Sequence, residues 1–164
     1  MIVFLIGMPG SGKSTVGREL ARSINFSFID TDDWISNRAC LSIPEIFDEV
    51  GEQGFREMEQ ECLEALLGKE SLVVSTGGGM AANKERLELM KELGTCIYLE
   101  VSTNELFRRV QSEQHRPLLK DDDLKLKLNR LLAHRESYYQ KADLKVNAER
   151  EIQEIVSEIR AYLR

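Results

Sequence analysis

The stretch IVFLIGMPGSGKST, Ile2 to Thr15, decides the fold. Its first five residues form an unbroken apolar run, the pattern of a strand covered on both faces. Gly7 to Ser14 then spells G-x-x-x-x-G-K-S, and Val16, Leu20, Ala21 and Ile24 recur beyond it at helical spacing. Strand, glycine-rich turn and helix in this order make an anion cradle. Gly7, Gly10 and Gly12 let successive backbone N–H groups face inward at a helix N-terminus, whose dipole favours negative charge. Lys13 brings a full positive charge to the outer phosphates, and the hydroxyl of Ser14 suits Mg²⁺. The motif implies a nucleoside triphosphate without saying what becomes of it.

Working outward, short strands alternate with helices. Phe26–Asp30, Ser71–Ser75, Cys96–Val101 and Leu144–Val146 read as further strands. Ser42-Ile43-Pro44-Glu45 is a capping box opening a helix that runs to Leu67, with a break expected near Gly51–Gly54. Asn83–Leu93 reads as a helix closed by a Gly94 cap, Ser102-Thr103-Asn104-Glu105 opens the next, and a long helix covers about Leu124 to Gln140. A stripe of Ile152, Ile155, Val156, Ile159 and Leu163 marks the last. This alternation predicts an α/β fold, a five-stranded parallel sheet flanked by helices. Ligands in such sheets sit at the carboxyl ends of the strands. The unusual sequences fall there: after Ile6, at Asp30-Thr31-Asp32, and after Val74.

Composition bounds the function without naming it. A chain of 164 residues with 42% hydrophobic and 30% charged residues fits one soluble globular domain over 1–164. The net charge of -6 argues against non-specific binding to nucleic acid or to an anionic membrane surface. No apolar run approaches the ~20 residues of a bilayer span. MIVFLIG lacks a basic leader, so it reads as a strand and not a signal peptide. Cys40, Cys62 and Cys96 are scattered and odd in number, as expected of reduced thiols in a cytoplasm.

Three further features carry chemistry. Asp30 and Asp32, two apart at a strand end, are expected to project from the same face. Beside a Mg²⁺-triphosphate, one can serve the metal and the other can orient a hydroxyl and accept its proton. The competing reading is a cap, with Asp32 or Asp33 starting a turn at Trp34–Ser36. In VVSTGGGM, Val73 to Met80, three consecutive glycines suggest that something comes very close to the backbone. Arg116, before Pro117 in a polar stretch, suggests a lid that closes on the triphosphate.

Taken in order, the phosphate loop, FIDTD, GEQGFRE, STGGGM, HRPLL and HRESYY closely resemble the shikimate kinases. The resemblance runs from Ile2 to about Val146 and implies a P-loop kinase of the nucleoside-monophosphate-kinase type. It implies a substrate-binding helical segment at about 33–62 and a lid at about 112–123. ATP and Mg²⁺ would be the cofactors and shikimate the small-molecule acceptor, in a cytoplasmic monomer. On this resemblance Gly10, Ser11, Gly12, Lys13, Ser14, Thr15, Arg109 and Arg116 hold the nucleotide, and Ser14 and Asp30 serve the metal. Asp32 is the base, Arg56 and Arg135 grip the substrate carboxylate, and Gly78 and Gly79 offer bare backbone to the ring. Glu59 helps orient the substrate site. One departure stands out: Asn147 replaces the family's usual aspartate in the loop after the last strand, and the proline that follows it there is missing. A gluconate or nucleotide kinase would share the phosphate loop and the lid but not the later motifs. A GTPase would need an Asn-Lys-x-Asp motif, and Asn83-Lys84-Glu85-Arg86 lacks the aspartate.

Overall fold

The first strand, Ile2–Ile6 (β1), is buried along its whole length because it runs through the middle of a sheet. A computed structural model describes residues 1–113 and 121–164. Among these, β1 is joined by Ser27–Asp30 (β2), Leu72–Ser75 (β3), Thr95–Glu100 (β4) and Leu144–Asn147 (β5). All pair in parallel, in the order β2-β3-β1-β4-β5. The helices are Lys13–Ile24 (α1), Thr31–Ala39 (α2), Ile43–Glu64 (α3), Lys84–Leu93 (α4), Thr103–Glu113 (α5), Asp121–Tyr139 (α6) and Ile152–Tyr162 (α7).

The register positions the site. Leu5 and Asp30 both pair with Ser75, so β1, β2 and β3 end level and side by side. The main core fills the sheet faces with residues such as Phe4, Val74, Ile97, Tyr139 and Ile159. A second cluster of Ile35, Ile46, Phe55 and Cys62, with Trp34 packed against it, joins α2 to α3. This smaller core holds the helical segment beside the strand ends. Cys40 is exposed, Cys62 and Cys96 are buried, and all are unpaired. No helix among the described residues is long and apolar enough to cross a membrane.

Most elements lie within a few residues of their sequence-based limits, with two informative differences. The expected turn at Trp34–Ser36 is a full helix, α2. It buries only Thr31 and Ile35, so it leaves little periodic signal to read. Its cap is Asp30, whose carboxylate accepts the Asp32 N–H at 3.0 Å. The break expected in the following helix is a kink at Gly51, where φ is 68° and ψ -173°. The Ser42–Glu45 capping box is formed, with Pro44 in the first turn.

Gly94 does follow α4, but not as a left-handed cap: its backbone is extended, with φ -177°. It is glycine because β1 passes over it, and a Cβ there would lie 2.1 Å from the carbonyl oxygen of Ile2. A backbone atom of the central strand cannot move aside. Gly94→Ala is therefore expected to cost about 3 kcal/mol of stability, at the upper end for overpacking. Urea unfolding followed by circular dichroism measures it, and an unchanged midpoint would contradict the close approach.

Candidate active site

The loop after β1 takes positive φ at Gly10 and Gly12, 80° and 90°, conformations that side chains resist. It enters α1 at Lys13, whose ammonium folds back onto the loop. Nζ donates to the carbonyls of Gly7 at 3.0 Å and Met8 at 2.8 Å. Lys13 is 7% exposed, and burial pushes its ammonium down to about 8 against the pull of Asp32 and Asp30. The first-turn N–H groups of α1 have no partners within the helix, as at any helix start. A polyanion fits this cradle, bringing the charge that Lys13 lacks.

Asp30 and Asp32 converge here, but not by strand alternation. Asp30 ends β2, while Asp32 stands in the first turn of α2. Asp30 Oδ2 accepts from the Ser14 hydroxyl at 2.6 Å, and Ser75 Oγ lies 3.2 Å from the same hydroxyl. Ser14 and Asp30 thus present adjacent oxygens at the loop mouth, a hard donor pair suited to Mg²⁺. Asp32 has no such tie. Burial raises its carboxyl to about 6, helped by Asp30 and Glu59 and opposed by Lys13. Asp33 is exposed.

The glycine triplet gives the site its shape. A Cβ on Gly77 would lie 2.5 Å from Asp32 Oδ1, on Gly78 3.0 Å from Arg135 Nη1, and on Gly79 2.8 Å from Arg56 Nη1. The glycines make room for these side chains, and Gly78 also for the Pro9 ring at 2.9 Å, which brings Asp32, Arg135 and Arg56 to one short turn. The turn itself is tethered at four points. Thr76 donates through N and Oγ1 to the Leu5 carbonyl, at 3.1 and 3.0 Å. The Gly77 N–H donates to buried Thr31 Oγ1 at 2.8 Å, and the Tyr139 hydroxyl to the Gly78 carbonyl at 2.5 Å. Arg86 Nε donates to the Met80 carbonyl at 3.1 Å. Among the described residues, the N–H groups of Gly78 and Gly79 have no partner. Two backbone donors therefore stand free between two guanidinium groups.

Arg56 Nη1 donates to Glu59 Oε2 at 2.8 Å, and Nη2 to exposed Glu52 at 3.1 Å. Glu59 is 1% exposed, and its Oε1 has no partner among the described residues. Arg109 spans the nucleotide side: Nη1 reaches the Ser11 carbonyl at 3.4 Å and Nη2 the Ala148 carbonyl at 2.8 Å. The departure at Asn147 is structurally mild. Its Oδ1 accepts the Glu149 N–H at 2.9 Å, the same local turn an aspartate would make. Arg116 and most of the expected lid lie outside the described residues. A separate cavity of about 400 Å³ at the ends of β4 and β5 is lined by Glu100, Glu136 and Glu149, which repel a polyphosphate.

Sequence reasoning missed several members. Thr31 sits between the two aspartates and Ser75 two residues before the glycine run, so their neighbours were the available signal. Tyr139 stacks on Tyr98 and also holds Gly78, and its place one turn beyond Arg135 indicates the shared face. Arg86 carried only one hint, a cation in the first turn of a helix.

Comparison with known proteins agrees with this geometry. A family model for shikimate kinase matches residues 9–164. A shikimate kinase of Aquifex aeolicus is 44% identical over 161 residues, 97% of this chain and 94% of that one. The crystal structure of shikimate kinase from Bacteroides thetaiotaomicron superposes with a TM-score of 0.91 at 34% identity, covering 99% of this chain and 98% of that one. The enzyme of Acinetobacter baumannii, solved in complex with shikimate, gives 0.89 at 31% identity over 99% and 92%.

The triplet's role can be isolated from stability. In Gly79→Ala the new Cβ meets the free end of a side chain, so the Arg56 guanidinium is expected to shift by about 1 Å to reach ordinary contact. A crystal structure of the variant checks this. A guanidinium left in place, with the backbone moved instead, would contradict it.

Proposed function

The chain belongs to the shikimate kinase family, and from that premise we propose a role for each residue of the site. Its reaction is the ATP-dependent phosphorylation of shikimate, with Mg²⁺ as the associated ion. The observation that carries the assignment of roles is the seating of Asp32, Arg135 and Arg56 against Gly77, Gly78 and Gly79, beside the phosphate cradle.

The acceptor lies flat on Gly78 and Gly79, whose free N–H groups and missing β-carbons suit a carboxylated ring. Arg56 and Arg135 bind its carboxylate, a task for which planar guanidinium groups are well shaped. Asp32 orients the 3-hydroxyl and accepts its proton as oxygen bonds to the γ-phosphorus. The bond to the bridging oxygen breaks, and its electron pair leaves with ADP. Gly10, Ser11, Gly12, Lys13, Ser14 and Thr15 hold the phosphates, and Arg109 lies against the nucleotide base. Lys13 turns from the Gly7 and Met8 carbonyls to the phosphoryl oxygens. Bound at Ser14 and Asp30, the Mg²⁺ ion would neutralise charge on those oxygens. We assign Arg116 to the transferring group, on a lid at about residues 112–123, with about 33–62 as the acceptor-binding segment. Because the transition state is loose, positioning and charge supply most of the rate. The unpaired cysteines suit a reducing cytoplasm, where we place the protein as a monomer.

ADP release measured first without and then with shikimate tests the assignment. A large shikimate-dependent stimulation is expected, and equal release in both would refute it. The acid–base roles predict a second result. Asp32 must be ionised and Lys13 charged, so kcat/KM for ATP should rise as pH passes about 6 and fall above about 8. An acid limb near ~4, the ordinary carboxylate range, would remove Asp32 from the role of base.

A further inference from the structure

Arg86 is placed where a cation is not expected. It lies in the first turn of α4, at the positive end of the helix dipole. Its backbone N–H donates to the Asn83 side-chain cap at 3.0 Å, and its side chain, 12% exposed, folds back over the turn. Nε holds the Met80 carbonyl at 3.1 Å, and Nη2 lies 3.7 Å from Glu59 Oε2. Burial lowers the guanidinium's pKa, so this charge is kept at a cost. Something in its surroundings must offset that cost.

The offset is the Glu59 carboxylate, the same group that binds Arg56. One buried carboxylate is shared by two guanidinium groups, so the buried set of Arg56, Arg86 and Glu59 carries a net charge of +1, opposed only by the solvent-exposed Glu52 on Arg56. Without Arg86, the Arg56–Glu59 pair would be neutral, and a ligand carboxylate would meet an arginine already satisfied. The same side chain also fixes Met80, at the exit of the turn against which the Arg56 guanidinium rests. Charge and position therefore act together.

We propose that Arg86 is a positioning residue for the substrate carboxylate: by sharing Glu59 and holding Met80, it keeps the charge of Arg56 from being fully compensated and its guanidinium aimed at Gly79. This rests on the reading of Arg56 as a carboxylate grip. Arg86 does not touch the acceptor; it acts through Glu59 and the turn.

Steady-state kinetics of Arg86→Met and Arg86→Lys, with both substrates varied, test the proposal. In Arg86→Met the KM for shikimate is expected to rise about tenfold, the size of one charge-assisted contact, with kcat and the KM for ATP changed less than about twofold. Arg86→Lys keeps the charge but cannot reach both partners, so a rise of about threefold is expected. With shikimate methyl ester as acceptor, which lacks the charge, the penalty should vanish. An unchanged shikimate KM in either variant, or equal rises for both substrates, would overturn the proposal. If Arg86→Met does not fold, the Arg86→Lys result decides alone. Failure of the underlying reading looks different: the unmodified protein would then release no shikimate-dependent ADP at all.

Discussion

Five consecutive residues, Thr76 to Met80, hold the chemistry of this protein together, and they do so by having almost no side chains of their own. The turn is tied to β1 through Thr76, to α2 through Thr31, to α6 through Tyr139 and to α4 through Arg86. Bare backbone at Gly77, Gly78 and Gly79 then lets Asp32, Arg135 and Arg56 approach more closely than any β-carbon would permit. Three side chains from three helices acquire a common reference surface. The parallel register that ends β1, β2 and β3 at one level makes this possible, because it brings the turn beside the phosphate loop.

Charge follows the same geometry. On the nucleotide side a buried lysine faces two aspartates, one tied to Ser14 and one left free. Beyond the glycine turn two guanidinium groups stand over a single buried carboxylate. Each half carries an incomplete charge pattern, cationic around the glycine turn and with one carboxylate left without a hydrogen-bond partner among the described residues beside the loop. Desolvation sharpens both halves, which is why the perturbed groups Lys13 and Asp32 fall at the junction between them.

Much of this was legible in the sequence because it is local. A strand, a glycine-rich turn and a helix share adjacent residues, so Ile2 to Thr15 declare both the fold and the cradle. The triplet raised the right question but could not answer it, since the atoms pressing on Gly77 to Gly79 come from positions 32, 56 and 135. The aspartates were correctly paired for a wrong reason. Strand alternation was assumed, whereas a helix begins between them, capped by the first. That helix escaped notice because it buries so few residues. Arg86 left only a faint signal for a different cause: its partner stands on another helix, and no spacing rule connects them.

The smaller apolar cluster between α2 and α3 has an optical consequence. Trp34 is the chain's sole tryptophan, and it sits in the helical turn that carries Asp32, with the Arg38 guanidinium 5.4 Å from its ring. The indole emission of the whole molecule therefore originates at the helical segment formed by α2 and α3. Repacking of that segment changes the polarity around this ring and the distance of its cationic neighbour. The protein thus carries an intrinsic fluorophore beside Asp32, readable without any attached dye.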